Sequence, residues 1–214
     1  MEKETSDQPK RLRLIAGVDE ASYGSWIGKV WAGAVILNPD RPIQGLNDSK
    51  KLTTPKRADL FNQIKINALA YGIGFATAQE IDQMGVFAAS HLAMTRALNT
   101  IEEHHVIDKI LLDGNKTPKW KWPTETIVKG DSKIQEIMAA SILAKHSRTL
   151  EMIEMDQRHP HYAFASNQGY GTASHQEALK KYGILEEHRK SYKPIAKIIE
   201  EAQSKESKKV KYNR

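Results

Sequence analysis

The residues of this sequence best suited to chemistry are four acids: Asp19-Glu20, Asp113 and Asp131. Asp19-Glu20 follows directly on the apolar run Leu14 to Val18, and Asp113 closes the run Ile110 to Leu112. Asp131 stands where a short extended stretch, Thr126 to Val128, gives way to a helical one. If these three ends meet on one edge of a sheet, four carboxylates crowd together, and their mutual repulsion has to be relieved by cations. The chain has no cysteine, which excludes disulfides, thiolate metal sites and thiol nucleophiles, so any metal is held by oxygen or imidazole. Mg²⁺ and Mn²⁺ suit an all-oxygen set. Two such ions roughly 4 Å apart can activate a water on one side of a phosphodiester and stabilise the leaving oxygen on the other. That in-line displacement needs several acids and no nucleophilic side chain. Taken singly, Asp131 also reads as a helix cap and Asp113-Gly114 as a turn, and both readings stay open at this point.

The elements that must position these acids are legible as alternating strands and helices. Leu14 to Val18 and Val30 to Leu37 are continuous apolar runs, as a sheet covered on both faces needs. Thr54-Pro55 opens a helix expected to reach about Ala68, since proline loses nothing in the first turn. Tyr71 to Thr77 is a further strand. Phe87, Met94, Ala97, Leu98 and Ile101 recur at helical spacing. Asp131 is expected to cap a long helix carrying Ile134, Ile137, Met138 and Ile142, with Ala139, Ala140, Ser141 and Ala144 permitting close packing. An irregular segment after His159-Pro160 leads to helices at Ser174 to Tyr182 and from Pro194 onward. The order predicts an α/β sandwich with a helical C-terminal part. The expected divisions are a flexible segment at 1–13, a catalytic domain at 14–158, a helical part packed on it at 159–203, and a basic flexible tail at 204–214.

Composition sets bounds rather than an answer. A chain of 214 residues, 40% hydrophobic, can bury one substantial core. Its longest apolar runs, such as Trp31 to Leu37, fall well short of the roughly 20 residues a bilayer span needs, and Met1 to Arg13 is too charged for a signal peptide. The expectation is a cytoplasmic monomer with no membrane and no obligate protein partner. The formal charge of +6 suits a polyanion, although the tail from Glu201 to Arg214, with five basic residues and two acids, supplies about half of it.

Six short words then occur in order. They are Gly17-Val18-Asp19-Glu20-Ala21 with Gly24; Asn47-Asp48-Ser49-Lys50-Lys51-Leu52; Leu112-Asp113-Gly114-Asn115; Lys129-Gly130-Asp131-Ser132; Ala139-Ala140-Ser141-Ile142-Leu143-Ala144-Lys145; and Gly169-Tyr170-Gly171-Thr172 with His175. Each is weak alone, but six in sequence from about Leu14 to Pro194 are specific, and the chain resembles the type 2 ribonucleases H (ribonuclease HII). The resemblance implies a ribonuclease H-like fold: a central mixed β-sheet flanked by helices, with a helical C-terminal extension. It implies that Asp19, Glu20, Asp113 and Asp131 are both the catalytic and the metal-binding residues. The implied partners are RNA:DNA hybrids and duplex DNA containing ribonucleotides, cut on the 5′ side of a ribonucleotide to leave a 3′-hydroxyl and a 5′-phosphate. Tyr170 would stack at the RNA-to-DNA junction, and Lys50 would lie near backbone phosphates.

One departure from the family bears on specificity. Where the family usually carries Gly-Arg-Gly, this chain has Ser22-Tyr23-Gly24, so a guanidinium fork is missing and a Cβ has been added beside the expected 2′-hydroxyl contact. Single-ribonucleotide discrimination is therefore expected to be weakened or altered, while Ser22, Tyr23 and Gly24 still belong to the substrate-binding set. Thr149 stands after Arg148 where the family often has an acid, which removes at most a weak ion pair. His104-His105 and His159-Pro160-His161 read as solvated histidines, and Trp120 and Trp122 as an edge loop packed on the core rather than a nucleic-acid contact. Two other functions compete: a hybrid-binding module of the same fold that turns over weakly, and a phosphohydrolase for small esters. The second lacks a Walker-type glycine loop.

Overall fold

The computed structural model describes residues 12–212, with side chains as far as Ser204. The expected flexible segment at 1–13 falls almost wholly outside these residues, as do most side chains of the 204–214 tail. Five strands, β1 (Ile15–Ala21), β2 (Val30–Ile36), β3 (Ala70–Ala76), β4 (Lys109–Asp113) and β5 (Thr124–Ile127), form one sheet in the order β3-β2-β1-β4-β5. β1 to β3 pair antiparallel, whereas β4 and β5 join parallel to β1, so the sheet is mixed. The helices are α1 (Thr54–Asn67), α2 (Ala78–Met84), α3 (Val86–Glu102), α4 (Gln135–Arg158), α5 (Phe164–Asn167), α6 (Ala173–Tyr182) and α7 (Lys193–Tyr212).

Alternation along the strands divides the core between the two faces. Ala16, Val18, Ala32, Ala34, Ile110 and Leu112 pack with Ala93, Ala97 and Leu98 of α3. Val35 faces the other way, into a cluster of Leu60 and Ile64 from α1 with Ala139, Ala140, Ile142 and Leu143 from α4. On this second face α4 approaches the sheet backbone so closely that a Cβ at Gly33 would lie 2.3 Å from the Ala140 carbonyl oxygen. Gly33 is the register partner of Asp19, so the close approach sets α4 directly over the acid of β1. A third cluster, with Ile27, Met152, Met155, Phe164, Leu179 and Ile195, joins the helices after residue 159 to the distal half of α4.

The structure departs from the sequence reading in three places. Asp131 does not cap the long helix: it lies in a single 3₁₀ turn, Gly130–Ser132, and α4 begins later, with Ile134 at its N-cap. The left-handed backbone of Lys129 (φ 57°) turns the chain before the helix can start. Helix α2 was not foreseen, although Thr77 and Glu80 form a complete capping box in front of it. The segment expected to be irregular after His159 contains a short 3₁₀ turn and α5.

Candidate active site

The parallel pairing of β1 with β4 sets Val18 opposite Leu112, which brings the next residues, Asp19 and Asp113, side by side where the strands end. β5 continues the parallel arrangement and delivers the turn holding Asp131 to the same edge. Asp113 Oδ1 accepts the Gly130 N–H at 2.6 Å and so anchors that turn. Oxygens of Asp19, Asp113 and Asp131 lie within 4.8 Å of one another, the one group of potential metal ligands among the described residues. Glu20 is outside this trio because successive strand residues point to opposite faces, yet it lines the same cleft as Asp19 and Asp113. The expected quartet is thus three clustered aspartates and an adjoining glutamate.

Electrostatics of the cluster follow from burial and like charge. Burial, then the charges of Glu20 and Asp113, hold the Asp19 carboxyl well above the usual range, against hydrogen bonds from the Glu20 N–H (2.8 Å) and Ser141. Burial and the Asp113 charge push Glu20 up to about 7. Burial raises Asp113 too, with the charge of Asp131 adding to it. Lys50 places Nζ 2.9 Å from Asp131 Oδ2, and this bond raises the ammonium in turn. Buried acids that resist ionisation in the absence of a cation, offering oxygen alone, fit a hard divalent ion.

The cluster floors a cleft of about 880 Å³ that also holds Ser22, Tyr23, Gly24, Lys50 and Tyr170. Every site residue named from the sequence except Asp131 is thus in its lining, and Asp131 joins through Asp113 and Lys50. Tyr23 and Tyr170 are 43% and 42% exposed, so both rings are available at the rim. Ser22 adopts φ 73°, a left-handed conformation that favours glycine, and its hydroxyl donates to the Lys29 carbonyl at 2.6 Å.

Other residues of the cleft had no role assigned from sequence. Ser141, Lys145 and Arg148 project from one face of α4, a spacing of four and three that could have marked them, and Arg57 joins them from α1. The Arg148 guanidinium stacks 4.5 Å from the Tyr170 ring centre. Behind the cleft, fully buried Arg189 donates to the carbonyls of Ser22 (2.8 Å), Tyr23 (3.1 Å), Gly28 (3.0 Å) and Lys29 (2.9 Å), clamping the Ser22–Gly24 loop. No periodicity or motif marks that role. The tryptophans are structural: the Trp122 indole donates to Glu102 and the Trp120 indole to Thr124, both at 2.7 Å. His104, His105, His159 and His161 lie outside the ligand group.

Comparison with known proteins identifies the fold and the family. A family model for ribonuclease HII matches residues 16–195. The ribonuclease HII of Vibrio cholerae serotype O1 is 44% identical over 191 residues, spanning 89% of this chain and 92% of that protein. The crystal structure of ribonuclease H2 from Pyrococcus horikoshii superposes with a TM-score of 0.69 at 25% identity, covering 87% of this chain and 97% of that one. Bst ribonuclease HIII, solved in complex with Mn²⁺, shares the fold with a TM-score of 0.67 at 15% identity, over 90% of this chain and 71% of that one. Both the ribonuclease H-like sheet and a sequence match over nearly its whole length place this chain in the ribonuclease HII family.

Proposed function

We propose that this protein is a metal-dependent endoribonuclease that hydrolyses the RNA strand of RNA:DNA hybrids and cuts on the 5′ side of ribonucleotides embedded in duplex DNA, leaving 3′-hydroxyl and 5′-phosphate ends. The observation that carries this reading is the trio of aspartates with oxygens within 4.8 Å, set in an open cleft beside Glu20. Asp19, Glu20, Asp113 and Asp131 would hold Mg²⁺ or Mn²⁺, two ions in the active complex. Bound there, the ions supply the charge that activates water and stabilises the leaving oxygen of an in-line displacement.

The remaining roles belong to the chain's own groups. Lys50 neutralises substrate phosphate beside the acids, and Tyr170 stacks on the nucleotide at the RNA-to-DNA junction. The Ser22-Tyr23-Gly24 loop approaches the 2′-hydroxyl. Without the fork of an arginine, and with a side chain at a left-handed position, it discriminates a single ribonucleotide less sharply than a continuous hybrid. We assign the metal centre to residues 14–158 and a supporting role to 159–203, in a monomer acting in the cytoplasm without an obligate partner.

Cleavage of labelled duplexes holding one ribonucleotide or a continuous RNA strand, with Mg²⁺, Mn²⁺ or chelator, tests the proposal against an Asp19→Asn control. Metal-dependent cutting that Asp19→Asn abolishes is expected, with the continuous hybrid cut at least as well as the single ribonucleotide. Binding without cutting under either metal would make the chain a hybrid-binding module. Strong preference for the single ribonucleotide would refute the altered discrimination.

A further inference from the structure

We infer that His188 is a positioning residue for Tyr170, acting through His175 by a hydrogen-bond relay whose direction the Tyr170 carbonyl fixes. The inference rests on the reading of Tyr170 as a substrate contact. His188 lies between α6 and α7, is fully buried, and pairs with Ile27 in an isolated antiparallel bridge. Its sequence neighbour Arg189 is anchored: besides the four carbonyls its guanidinium holds, its backbone N–H donates to the Trp26 carbonyl at 2.8 Å.

The protons of the relay can be placed by elimination. The Leu185 N–H points to His188 Nδ1 at 2.8 Å, nearer than the Leu185 carbonyl at 3.3 Å, so that nitrogen carries a lone pair and the proton of a neutral ring is on Nε2. His188 Nε2 is 3.1 Å from His175 Nε2, which must therefore accept. The His175 proton is then on Nδ1, 3.0 Å from the Tyr170 carbonyl oxygen, which can only accept. With these tautomers the chain runs from Leu185 to Tyr170, and only the longer contact of His188 Nδ1 with the Leu185 carbonyl is left without a proton. Burial favours the neutral form of both rings, taking His188 down to about 4.

What the relay holds is a shared wall of the cleft. The carbonyl of Gly169, one residue before Tyr170, accepts the Trp26 N–H at 2.9 Å and the Ser25 hydroxyl at 3.1 Å. A Cβ at Gly24 would lie 3.7 Å from the Tyr170 ring. A shift of the Tyr170 turn therefore moves its ring relative to both the Ser22–Gly24 loop and the acids of β1. Misplacement on the scale of an ångström can cost about a hundredfold in rate, so the relay has leverage on turnover while touching no substrate.

The test compares kcat/KM on a duplex whose cut strand passes from RNA to DNA with that on a continuous hybrid, for the wild type, His188→Phe, His188→Gln, Tyr170→Ala, and His188→Phe combined with Tyr170→Ala. His188→Phe is expected to lower the junction-to-hybrid ratio by about tenfold, as Tyr170→Ala does, with no further loss in the double variant, because coupled residues do not add. His188→Gln, which keeps a donor facing His175, should restore most of the ratio. Equal loss on both substrates, or an unchanged ratio in His188→Phe where Tyr170→Ala lowers it, would overturn the role of His188. An unchanged ratio in Tyr170→Ala would overturn the reading of Tyr170 and the inference with it. Nitrogen NMR of the wild-type imidazoles gives a readout that needs no variant to fold. Protons on His188 Nε2 and His175 Nδ1 are expected, and the opposite tautomer on either ring would sink the relay.

Discussion

At the scale of the residue, charge is confined to places where something must bind it. Asp19 and Glu20 are held as acids that resist ionisation, whereas the buried imidazoles of His175 and His188 are held neutral in a closed hydrogen-bond chain. The second arrangement has a consequence for stability. The folded value for His188, about 4, lies below the ordinary 6.5, so between those values the unfolded chain binds more protons than the folded one. Stability from this residue is complete above about pH 6.5 and is lost as pH falls towards 4, by roughly 3 kcal/mol at most. His175, His159 and Glu187 are the other titrating groups acting on it, the histidines lowering and the glutamate raising its affinity for a proton. Melting temperatures measured across this window should fall with acid in the wild type and fall less steeply in His188→Gln. Identical slopes would show that the pair does not set acid stability.

At the scale of the element, the site depends on how closely α4 lies on the sheet. Gly33 has no side chain because the Ala140 carbonyl takes its place, and the same contact brings Ser141 to Asp19 across the β1–β2 pair. Gly33→Ala should lift α4 from the sheet and cost about 1–3 kcal/mol, the usual penalty for overpacking. In a chain of this size that is a drop of several degrees in melting temperature. Metal-dependent cleavage should fall with it, and an unchanged melting temperature would mean that α4 accommodates the methyl group by sliding. Much at this scale was legible in the sequence, because buried strands and amphipathic helices carry their own period: β1 to β5, α1, α3 and α6 fall within a few residues of expectation. The start of α4 was not legible. Aspartate before an apolar helical stretch has the appearance of a cap, and only the left-handed Lys129 and the bond from Gly130 to Asp113 turn Asp131 into the cluster instead. Strand ends made the carboxylates candidates, and the six ordered words were needed to choose between that reading and a cap or turn at Asp131 and Asp113. Arg189 and His188 could not be found in either way: the loop carbonyls that Arg189 holds stand up to 167 residues away, and His188 meets His175 across 13 residues, at no repeating interval.

At the scale of the whole molecule, basic groups gather in the cleft that holds the acids. Lys50, Arg57, Lys145 and Arg148 line it, and neither Arg57 nor Lys145 nor Arg148 has a carboxylate in an ion pair among the described residues. Burial and the neighbouring cations Arg57 and Lys50 lower the affinity of Lys145 for its proton, which marks a locally positive field. Such a lining takes up the backbone of a duplex by releasing its counterions. Affinity for a hybrid, followed by fluorescence anisotropy in chelator, should therefore decline linearly in log–log against salt, and Lys145→Ala should reduce the slope by about one. A slope unchanged by that substitution would remove Lys145 from the contact surface.

The clamp of Arg189 on the Ser22–Gly24 loop joins the start of the fold to its last part, and this ordering has a meaning in time. On a ribosome making roughly 5–20 residues per second, Asp131 is added several seconds before His188 and Arg189. All four acids of the proposed metal centre therefore exist in the nascent chain while the residues that hold the Ser22–Gly24 loop and the Tyr170 turn are still to be made.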